Sequence, residues 1–264
     1  MLTLGFIGTG NMGGALAQAA AKNNNNRLLL ANRHPEKAHR LREKTGGELT
    51  DSRSAAAMAD YIFLGVKPQM LETLFAEIRD TLSARTDRFV LVSMAAGTSI
   101  EKVQRLAGGD YPVIRIMPNT PVSIGEGMIL YACSKELRQE EKYAFLEAMA
   151  AAGRFSPLEE KLIDAGSAVS GCGPAFVDLF IEALADGGVA CGLPRAQALE
   201  FAAQMTAGSA RLILESGRHP GELKDAVCSP GGTTIQGVRT LEEAGFRAAV
   251  MNAVIAAYEK NFKL

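Results

Sequence analysis

The sequence carries almost no excess charge of either sign. It has 28 lysines and arginines against 29 aspartates and glutamates, which gives a formal net charge of -1 at pH 7. Surfaces that bind nucleic acids need basic side chains clustered on one face, and no such cluster occurs along the chain. We therefore expect no nucleic acid among the partners of this protein.

Cysteines are few, and long apolar runs are missing. The four cysteines form no C-x-x-C pair and are not spaced with histidines as metal ligands would be: Cys133, Cys172, Cys191 and Cys228. We expect them to be small buried residues in a reducing compartment, and we expect no bound metal. The first residues lack the basic segment of a signal peptide, and no apolar run approaches the ~20 residues that a membrane span needs. These features predict a cytoplasmic protein with no membrane partner.

The apolar pattern divides the chain, whose 264 residues suit two domains better than one core. In the first part, short apolar runs alternate with helical patterns, which predicts an α/β domain with a doubly wound parallel sheet. From about Pro157 strand signals give way to helical patterns rich in alanine and leucine. We predict domains at 1–156 and 157–264, the second all-helical. The predicted strands are Leu2–Ile7, Leu28–Ala31, Tyr61–Gly65, Phe89–Ser93 and Val113–Met117, with Met128–Tyr131 as an edge strand.

One segment of the helical part, Pro174–Ala190, is apolar nearly all round. Such a helix is expected to be buried on every side. A domain of ~100 residues has little room for fully buried helices. Self-association would cover the segment, so we expect at least a homodimer.

A G-x-G-x-x-G pattern, FIGTGNMG, follows the first predicted strand and opens a helix. Its glycines are Gly8, Gly10 and Gly13. They allow a tight turn, close approach of the backbone to a pyrophosphate, and close helix–strand packing. The helix N-terminus adds free N–H groups and partial positive charge. The pattern predicts a Rossmann-type dinucleotide site; the alternative is a purely structural glycine turn.

The end of the second strand indicates which dinucleotide. A site for NAD would carry an acidic residue about twenty positions on, beside the ribose hydroxyls. Here Asn32 and Arg33 stand there, and a guanidinium binds phosphate through paired, charge-assisted hydrogen bonds. We therefore expect NADPH as the cofactor, with NADH weaker. The alternative is that Arg33 is a solvated residue at a helix start.

Two further loops follow strands of the predicted sheet, where ligands of such folds usually bind. They are Gly65-Val66-Lys67-Pro68-Gln69 and Ser93-Met94-Ala95-Ala96-Gly97. Small residues in the second loop would let a nicotinamide or ribose lie against the backbone. Lys67 could equally be an ordinary surface lysine.

The most unusual stretch is LKDAVCSPGGTT, residues 223–234, between two helical patterns. A proline, two glycines and three hydroxyl residues there precede a helix. Successive backbone N–H groups and hydroxyls form a neutral site for a small carboxylate. The alternative is an ordinary helix cap, because serine and threonine favour N-caps and glycines favour turns.

Together and in this order, the motifs resemble those of the pyrroline-5-carboxylate reductases over the whole chain. The matching pieces are GFIGTGNMGGA, ANRHPEKA, GVKPQ, SMAAG, IRIMPNTP, VSGCGPAF, GLPRAQAL and LKDAVCSPGGTTIQGV. The resemblance implies NAD(P)H-dependent reduction of 1-pyrroline-5-carboxylate to L-proline, the last step of proline biosynthesis. It also implies a helical domain that forms dimers, which in relatives often assemble into decamers.

The resemblance also implies residue roles. The pyrophosphate should meet Gly8, Gly10, Asn11 and Met12, and the 2′-phosphate should meet Asn32 and Arg33. The adenosine and nicotinamide side should be lined by Val66, Lys67, Pro68, Ala95, Ala96 and Gly97. The imino acid should be held by Val227, Ser229, Gly231, Gly232, Thr233 and Thr234.

For the chemistry, we expect the cofactor to carry the hydride and the protein to supply orientation. The Thr234 hydroxyl is expected to hydrogen-bond the ring nitrogen, while Ser229 and the Gly231–Thr233 backbone hold the carboxylate. Whether Thr234 or a water donates the proton stays open. One alternative is a β-hydroxyacid dehydrogenase, with Lys224 as its acid/base. Another is a non-enzymatic NADP-sensing protein, which would leave the 223–234 motif unexplained.

Overall fold

The computed structural model describes residues 1–261, which form two compact units. The first unit runs from Met1 to Cys172 and takes in the chain again from Tyr258. The second unit is Gly173–Ala257. Residues 157–172 thus belong to the unit that contains the sheet, whereas the sequence pattern predicts the change of character at 156/157.

The first unit contains one sheet of eight strands in the order β3-β2-β1-β4-β5-β6-β7-β8. β1 to β6 are mutually parallel, β7 runs antiparallel to β6, and β8 runs parallel to β7. The strands are β1 (Leu2–Ile7), β2 (Asn26–Ala31), β3 (Glu48–Thr50), β4 (Tyr61–Leu64), β5 (Val90–Ser93), β6 (Val113–Met117), β7 (Gly127–Cys133) and β8 (Gly153–Pro157).

Helices cover both faces of this sheet. The helices are α1 (Asn11–Ala20), α2 (Pro35–Thr45), α3 (Ser52–Met58), α4 (Leu71–Ser83), α5 (Ile100–Ala107), α6 (Gln139–Ala148) and α7 (Ile163–Ser170). One apolar cluster joins the sheet to α3, α4, α5 and the start of α7, and a second joins it to α1, α2 and α6. Because both faces are covered, the central strands read as continuous apolar runs. The predicted doubly wound α/β fold is confirmed.

The structure contains two strands that the sequence did not predict, β3 and β8, and it places one predicted edge strand inside the sheet. β3 has three residues and is exposed at its first, and β8 (GRFSP) contains glycine and proline, so neither has a strong strand signal. Since β8 pairs with β7 on its outer side, the predicted edge strand Met128–Tyr131 lies inside the sheet. The true edges are β3 and β8.

The second unit is helical, as predicted. Its helices are α8 (Gly173–Ala190), α9 (Arg195–Ser216), α10 (Pro220–Val227), α11 (Thr233–Glu243) and α12 (Phe246–Asn261), the last of which ends in the first unit. The helical pattern predicted from Thr233 onward is broken at Gly245, whose φ of 75° is left-handed.

The expectation that residues 174–190 are buried on every side is wrong for the single chain. Of the residues of α8, only Ala185 is buried, and Leu179 is 68% exposed. A groove of about 570 Å³ runs along this helix; it is apolar and is lined by residues of α8, α11 and α12, including Phe180 and Phe246, whose rings lie 5.9 Å apart. An apolar surface of this kind marks an interaction site.

Two other expectations need correction. We expected no apolar run long enough for a membrane span, but by length and composition alone the helical stretch Glu160–Ala190 of the described residues could cross a membrane. A turn at Gly171 divides this stretch into α7 and α8. The core helices of soluble proteins can have the same length and apolar composition. The cysteines are free but not uniformly buried, since Cys133 and Cys191 are exposed.

Candidate active site

The glycine turn lies where the order of the sheet reverses. β1 pairs with β2 on one side and with β4 on the other, and all three are parallel. Their carboxyl ends therefore share one edge, with a crevice where connections leave in opposite directions. Gly8 follows β1 and Gly65 follows β4 at this crevice. Ligands of open α/β sheets bind at such a point.

Close packing explains three glycines around the turn. Gly8 has a left-handed φ of 100°. A Cβ on Gly13 would lie 2.2 Å from the carbonyl oxygen of Gly8, and a Cβ on Gly65 would lie 2.3 Å from the same atom. No side chain fits at these positions, so the backbone itself forms the floor of the crevice.

Gly10 differs, because no protein atom lies within 4 Å of a Cβ placed there. It is the N-cap of α1 and makes no side-chain capping bond, so the first N–H groups of α1, at Asn11 and Met12, are left for another acceptor. Beside it, the Thr9 hydroxyl is buried without a hydrogen-bond partner in the described residues. An open glycine, free helix N–H groups and an unsatisfied hydroxyl fit a dinucleotide pyrophosphate.

The residues after β2 suit a phosphate on the ribose. The Asn32 side chain donates to the carbonyl oxygen of His34 at 3.2 Å, which holds the turn into α2. Arg33 is exposed and makes no ion pair with the described residues. α2 begins at Pro35 without a side-chain cap. A guanidinium without an ion pair, next to an uncapped helix N-terminus, favours the binding of an anion.

The other two predicted loops leave the same edge, because β4 and β5 are parallel neighbours. After β4, Val66 is half-buried, while Lys67 and Pro68 are exposed. After β5, Ala95 is buried, Ala96 is half-buried, and Gly97 is exposed with a φ of 65°. The fold therefore brings all twelve predicted cofactor residues to one edge of the sheet: Gly8, Gly10, Asn11, Met12, Asn32, Arg33, Val66, Lys67, Pro68, Ala95, Ala96 and Gly97.

The predicted substrate residues lie in the second unit, around the start of α11. Residues 223–227 of the motif form the end of α10 rather than a loop, and Val227 is 64% exposed. The loop proper is Cys228–Gly232. Gly231 has a left-handed φ of 67°, and the Gly232 N–H donates to the carbonyl oxygen of Ser229 at 3.0 Å.

The hydroxyls of this loop do not cap α11. Its N-cap is Gly232, which has no side chain that could cap the helix, whereas Ser99 caps α5 by accepting from the Lys102 N–H. Thr233 and Thr234 are the first two residues of α11 and are exposed, as is Ser229. The loop thus presents uncapped helix N–H groups together with three exposed hydroxyl residues. This arrangement can bind a small carboxylate and still offer a hydroxyl to a neighbouring atom.

Lys224, the acid/base candidate of the alternative interpretation, is paired with Asp225. The hydrogen bond to this carboxylate raises the pKa of Lys224 above its ordinary value. This pairing favours the charged ammonium over the neutral amine that a general base needs. Among residues 1–261, no group of three or more His, Cys, Asp and Glu side chains is arranged to hold a metal ion.

Sequence reasoning missed two residues of the crevice, Thr9 and Gly65. Both stand inside motifs that were recognised, so the sequence did hold a signal. Thr9 is unremarkable until its burial without a partner is known, and the importance of Gly65 follows only from its contact with Gly8.

Comparison with known proteins places both parts of the chain. Residues 160–264 match the family model described as pyrroline-5-carboxylate reductase dimerisation, and residues 3–97 match the one described as NADP oxidoreductase coenzyme F420-dependent. The chain is 41% identical to the pyrroline-5-carboxylate reductase of Escherichia coli (strain K12) over 99% of this chain and 97% of the relative.

Solved structures show the same similarity. The pyrroline carboxylate reductase of Plasmodium falciparum with NADP bound is 33% identical, with a TM-score of 0.87 over 98% of this chain and 97% of the other. The pyrroline-5-carboxylate reductase of Coxiella burnetii is 30% identical, with a TM-score of 0.90 over 99% and 98% of the two chains. The similarity spans the glycine turn, the loop before α11 and the helical unit.

Proposed function

The chain belongs to the pyrroline-5-carboxylate reductase family, and on that premise we propose which of its residues hold the cofactor and the substrate. It reduces 1-pyrroline-5-carboxylate to L-proline with NADPH, the last step of proline biosynthesis. The reaction adds a hydride to the imine carbon and a proton to the ring nitrogen. NADPH supplies the hydride when it is bound.

The cofactor residues hold and orient the dinucleotide. The N–H groups at the start of α1, with Gly10, would hold the pyrophosphate, because only a residue without a side chain lets it approach. Arg33 and Asn32 would bind the 2′-phosphate, and this pair favours NADPH over NADH. The loops after β4 and β5 would line the adenosine and the nicotinamide, with small residues on the nicotinamide side.

The loop before α11 would hold the imino acid. Ser229 and the backbone from Gly231 to Thr233 would bind the carboxylate, with Val227 beside them. The Thr234 hydroxyl would hydrogen-bond the ring nitrogen. A cyclic iminium is already a good electrophile, so orientation and polarity carry most of the catalysis.

The observation that carries this assignment is the uncapped start of α11. Three exposed hydroxyl residues surround it, and none of them makes a capping bond. Ordinary caps satisfy the helix N–H groups themselves. A loop that leaves them unsatisfied and keeps its hydroxyls exposed is built for an external anion.

The chain forms homo-oligomers through its helical unit. We further propose a dimer as the basic unit, a decamer as the larger assembly, and a cytoplasmic location. The exposed apolar groove along α8 supports self-association, and the four free cysteines suit a reducing compartment. We propose neither nucleic-acid nor membrane partners.

Consumption of NADPH tests the proposal against its rivals. The expected result is oxidation of NADPH with 1-pyrroline-5-carboxylate, and no reduction of NADP with a β-hydroxyacid. Binding of NADPH with no turnover of either substrate would support a sensor instead, and turnover of the hydroxyacid would support the dehydrogenase.

A further inference from the structure

Two buried polar side chains, one within β6 and one just after it, are not used by the proposed site. Arg115 lies inside the strand and is 3% exposed, and Asn119 follows the strand and is 8% exposed. Both side chains reach the same helix, α7, and they contact its opposite ends.

The guanidinium of Arg115 holds the N-terminal end of α7. Its Nη2 donates to Oδ1 of Asp164 at 2.7 Å, and its Nη1 donates to Oε1 of Glu160 at 3.3 Å. The same Glu160 oxygen accepts the N–H of Ile100, the first residue of α5, at 2.6 Å. Asp164 lies in the first turn of α7, where a carboxylate also favours the positive end of the helix dipole. Since a buried charge must be paired, this contact fixes where α7 begins relative to β6.

The carboxamide of Asn119 holds the C-terminal end of α7. Its Nδ2 donates to the carbonyl oxygen of Ser170 at 3.0 Å, and its Oδ1 accepts the N–H of Met128 at 2.9 Å. Ser170 is the last residue of α7, where carbonyl groups have no partner within the helix. One side chain therefore joins the end of β6, the strand β7 and the end of α7.

The position of these contacts connects them to the reaction. β6 runs parallel to β5, so its carboxyl end lies at the edge that carries the glycine turn. α7 is the last helix before the chain leaves the first unit at Cys172, two residues after Ser170. The Asn261 side chain, at the end of α12, also donates to the Asp164 carbonyl oxygen, at 3.4 Å.

We propose that Arg115 and Asn119 are positioning residues for hydride transfer, an inference that rests on the proposed function. By holding α7 at both ends against β6, they keep one arrangement of the loop after β6, which lies next to the loop after β5 that would line the nicotinamide. The orientation of the nicotinamide for hydride transfer depends on that arrangement. Misplacement of reacting groups by 1 Å costs about a hundredfold in rate, so residues that touch neither ligand can govern kcat.

The chain offers a matched control for each residue at the opposite edge of the sheet. Asn26, the first residue of β2, also bridges two backbone groups, the carbonyl oxygens of Ala20 and Ala148, each at 2.9 Å. Arg85 precedes β5, and its side chain is 5% exposed against 4% for Arg115. Its Nη1 donates to the carbonyl oxygens of Ala56 and Ala59, at the end of α3, at 2.7 and 2.8 Å. Loss of these control side chains removes comparable contacts far from the carboxyl edge.

The test compares Asn119→Ala with Asn26→Ala, and Arg115→Lys with Arg85→Lys, in the full-length protein. Asn119→Ala and Arg115→Lys should lower kcat by about tenfold or more and leave the Kd of NADPH unchanged. The isotope effect with NADPH deuterated at the transferred position should rise, because hydride transfer becomes slower. Without cofactor, amide exchange of residues 163–170 should become faster. The control variants should lose similar thermal stability with none of these effects.

Two results would overturn the proposal. In the first, a control variant lowers kcat as much as its matched Asn119→Ala or Arg115→Lys variant, with an equal loss of Tm. In the second, exchange of α7 is unchanged in Asn119→Ala and Arg115→Lys. Absence of imine reduction by the wild-type chain would instead contradict the proposed function, and the exchange measurement would still decide whether Asn119 and Arg115 hold α7.

Discussion

A Cβ atom on Gly65 would lie 2.3 Å from the carbonyl oxygen of Gly8. These two glycines directly follow β1 and β4, the neighbouring strands at the reversal point of the sheet, and the Gly65 N–H donates to the Ile7 carbonyl oxygen at 2.8 Å. The crevice above β1 and β4 is therefore lined by backbone, and a phosphate that enters it meets N–H groups rather than side chains.

The protein alone leaves room for a side chain at Gly10, but we predict that bound NADPH fills this space. No protein atom lies within 4 Å of its Cβ position, and its φ of -70° suits any residue. Gly10→Ala should therefore keep the thermal stability of the wild type and weaken NADPH binding by about tenfold or more, or roughly 1.4 kcal/mol. Fluorescence titration with NADPH and a thermal melt measure both.

The control for this change is Gly14→Ala, one turn further along α1. The nearest atom to a Cβ at Gly14 is the Thr9 carbonyl oxygen, at 3.8 Å. This variant should fold and should bind NADPH like the wild type. If Gly10→Ala also binds like the wild type, no pyrophosphate lies against this residue.

Arg33 is predicted to decide which cofactor is preferred. Arg33→Asp should weaken NADPH strongly and NADH much less, because each lost charge-assisted hydrogen bond costs ~1.5–3 kcal/mol, roughly ten- to hundredfold in affinity. The measurement is KM for both cofactors. Arg40→Asp, an exposed arginine further along α2, makes the same charge change and should leave the preference intact. An unchanged NADPH/NADH ratio in Arg33→Asp would refute the assignment.

The two hydroxyls before and in α11 are predicted to act at different stages. Thr234→Ala should lower kcat by about tenfold or more, since a hydrogen bond to the changing ring nitrogen is worth ~1 kcal/mol or more. Thr234→Ser should retain much of the activity. Ser229→Ala removes a contact made in both ground and transition states, so its cost should appear mainly in KM for the imino acid.

Steady-state constants with a fluorescence titration separate these effects, because neither change should alter NADPH binding. Thr240→Ala is the matched control in α11, where the Thr240 hydroxyl donates only to the Gln236 carbonyl oxygen. It should leave both constants near those of the wild type. Wild-type behaviour of Thr234→Ala would mean that Thr234 is an ordinary residue of the first helical turn.

Self-association is predicted to depend on the apolar groove of the second unit. Leu179 lines this groove and is 68% exposed in the single chain. Sedimentation at low micromolar concentration should show dimers or larger species for the wild type. Leu179→Glu should dissociate or unfold them, because it places a charge in an apolar interface. Tyr143→Glu, on the exposed face of α6, should not change the state. A well-folded wild-type monomer would contradict this account.

Local patterns account for what the sequence could predict. The glycine turn after β1 and the buried runs of β4 and β5 are read from neighbouring residues, since parallel strands covered on both faces are continuously apolar. The 223–234 motif is also visible in the sequence, because its proline, glycines and hydroxyl residues are neighbours. Its division into the end of α10 and a loop is not visible, because residues 223–227 are compatible with a helix as well as with a turn.

Contacts between distant residues account for what was missed. β3 and β8 are strands because a neighbour pairs with them, and their own residues carry little strand preference. Arg115 and Asn119 stood in a recognised motif, yet their partners Asp164 and Ser170 lie 49 and 51 positions away. The sequence could not predict that Leu179 is 68% exposed in the single chain, because an apolar composition shows that a helix favours burial but does not show which surface covers it.

The most direct test of the central claim follows the hydride itself. The chain is incubated with 1-pyrroline-5-carboxylate and NADPH carrying deuterium at the transferred position, and the product is analysed by mass spectrometry and chiral chromatography. The account predicts L-proline with one deuterium on the ring carbon that was double-bonded to nitrogen, at a rate that Thr234→Ala lowers. Unlabelled proline, or NADPH that is bound and never oxidised, would contradict it.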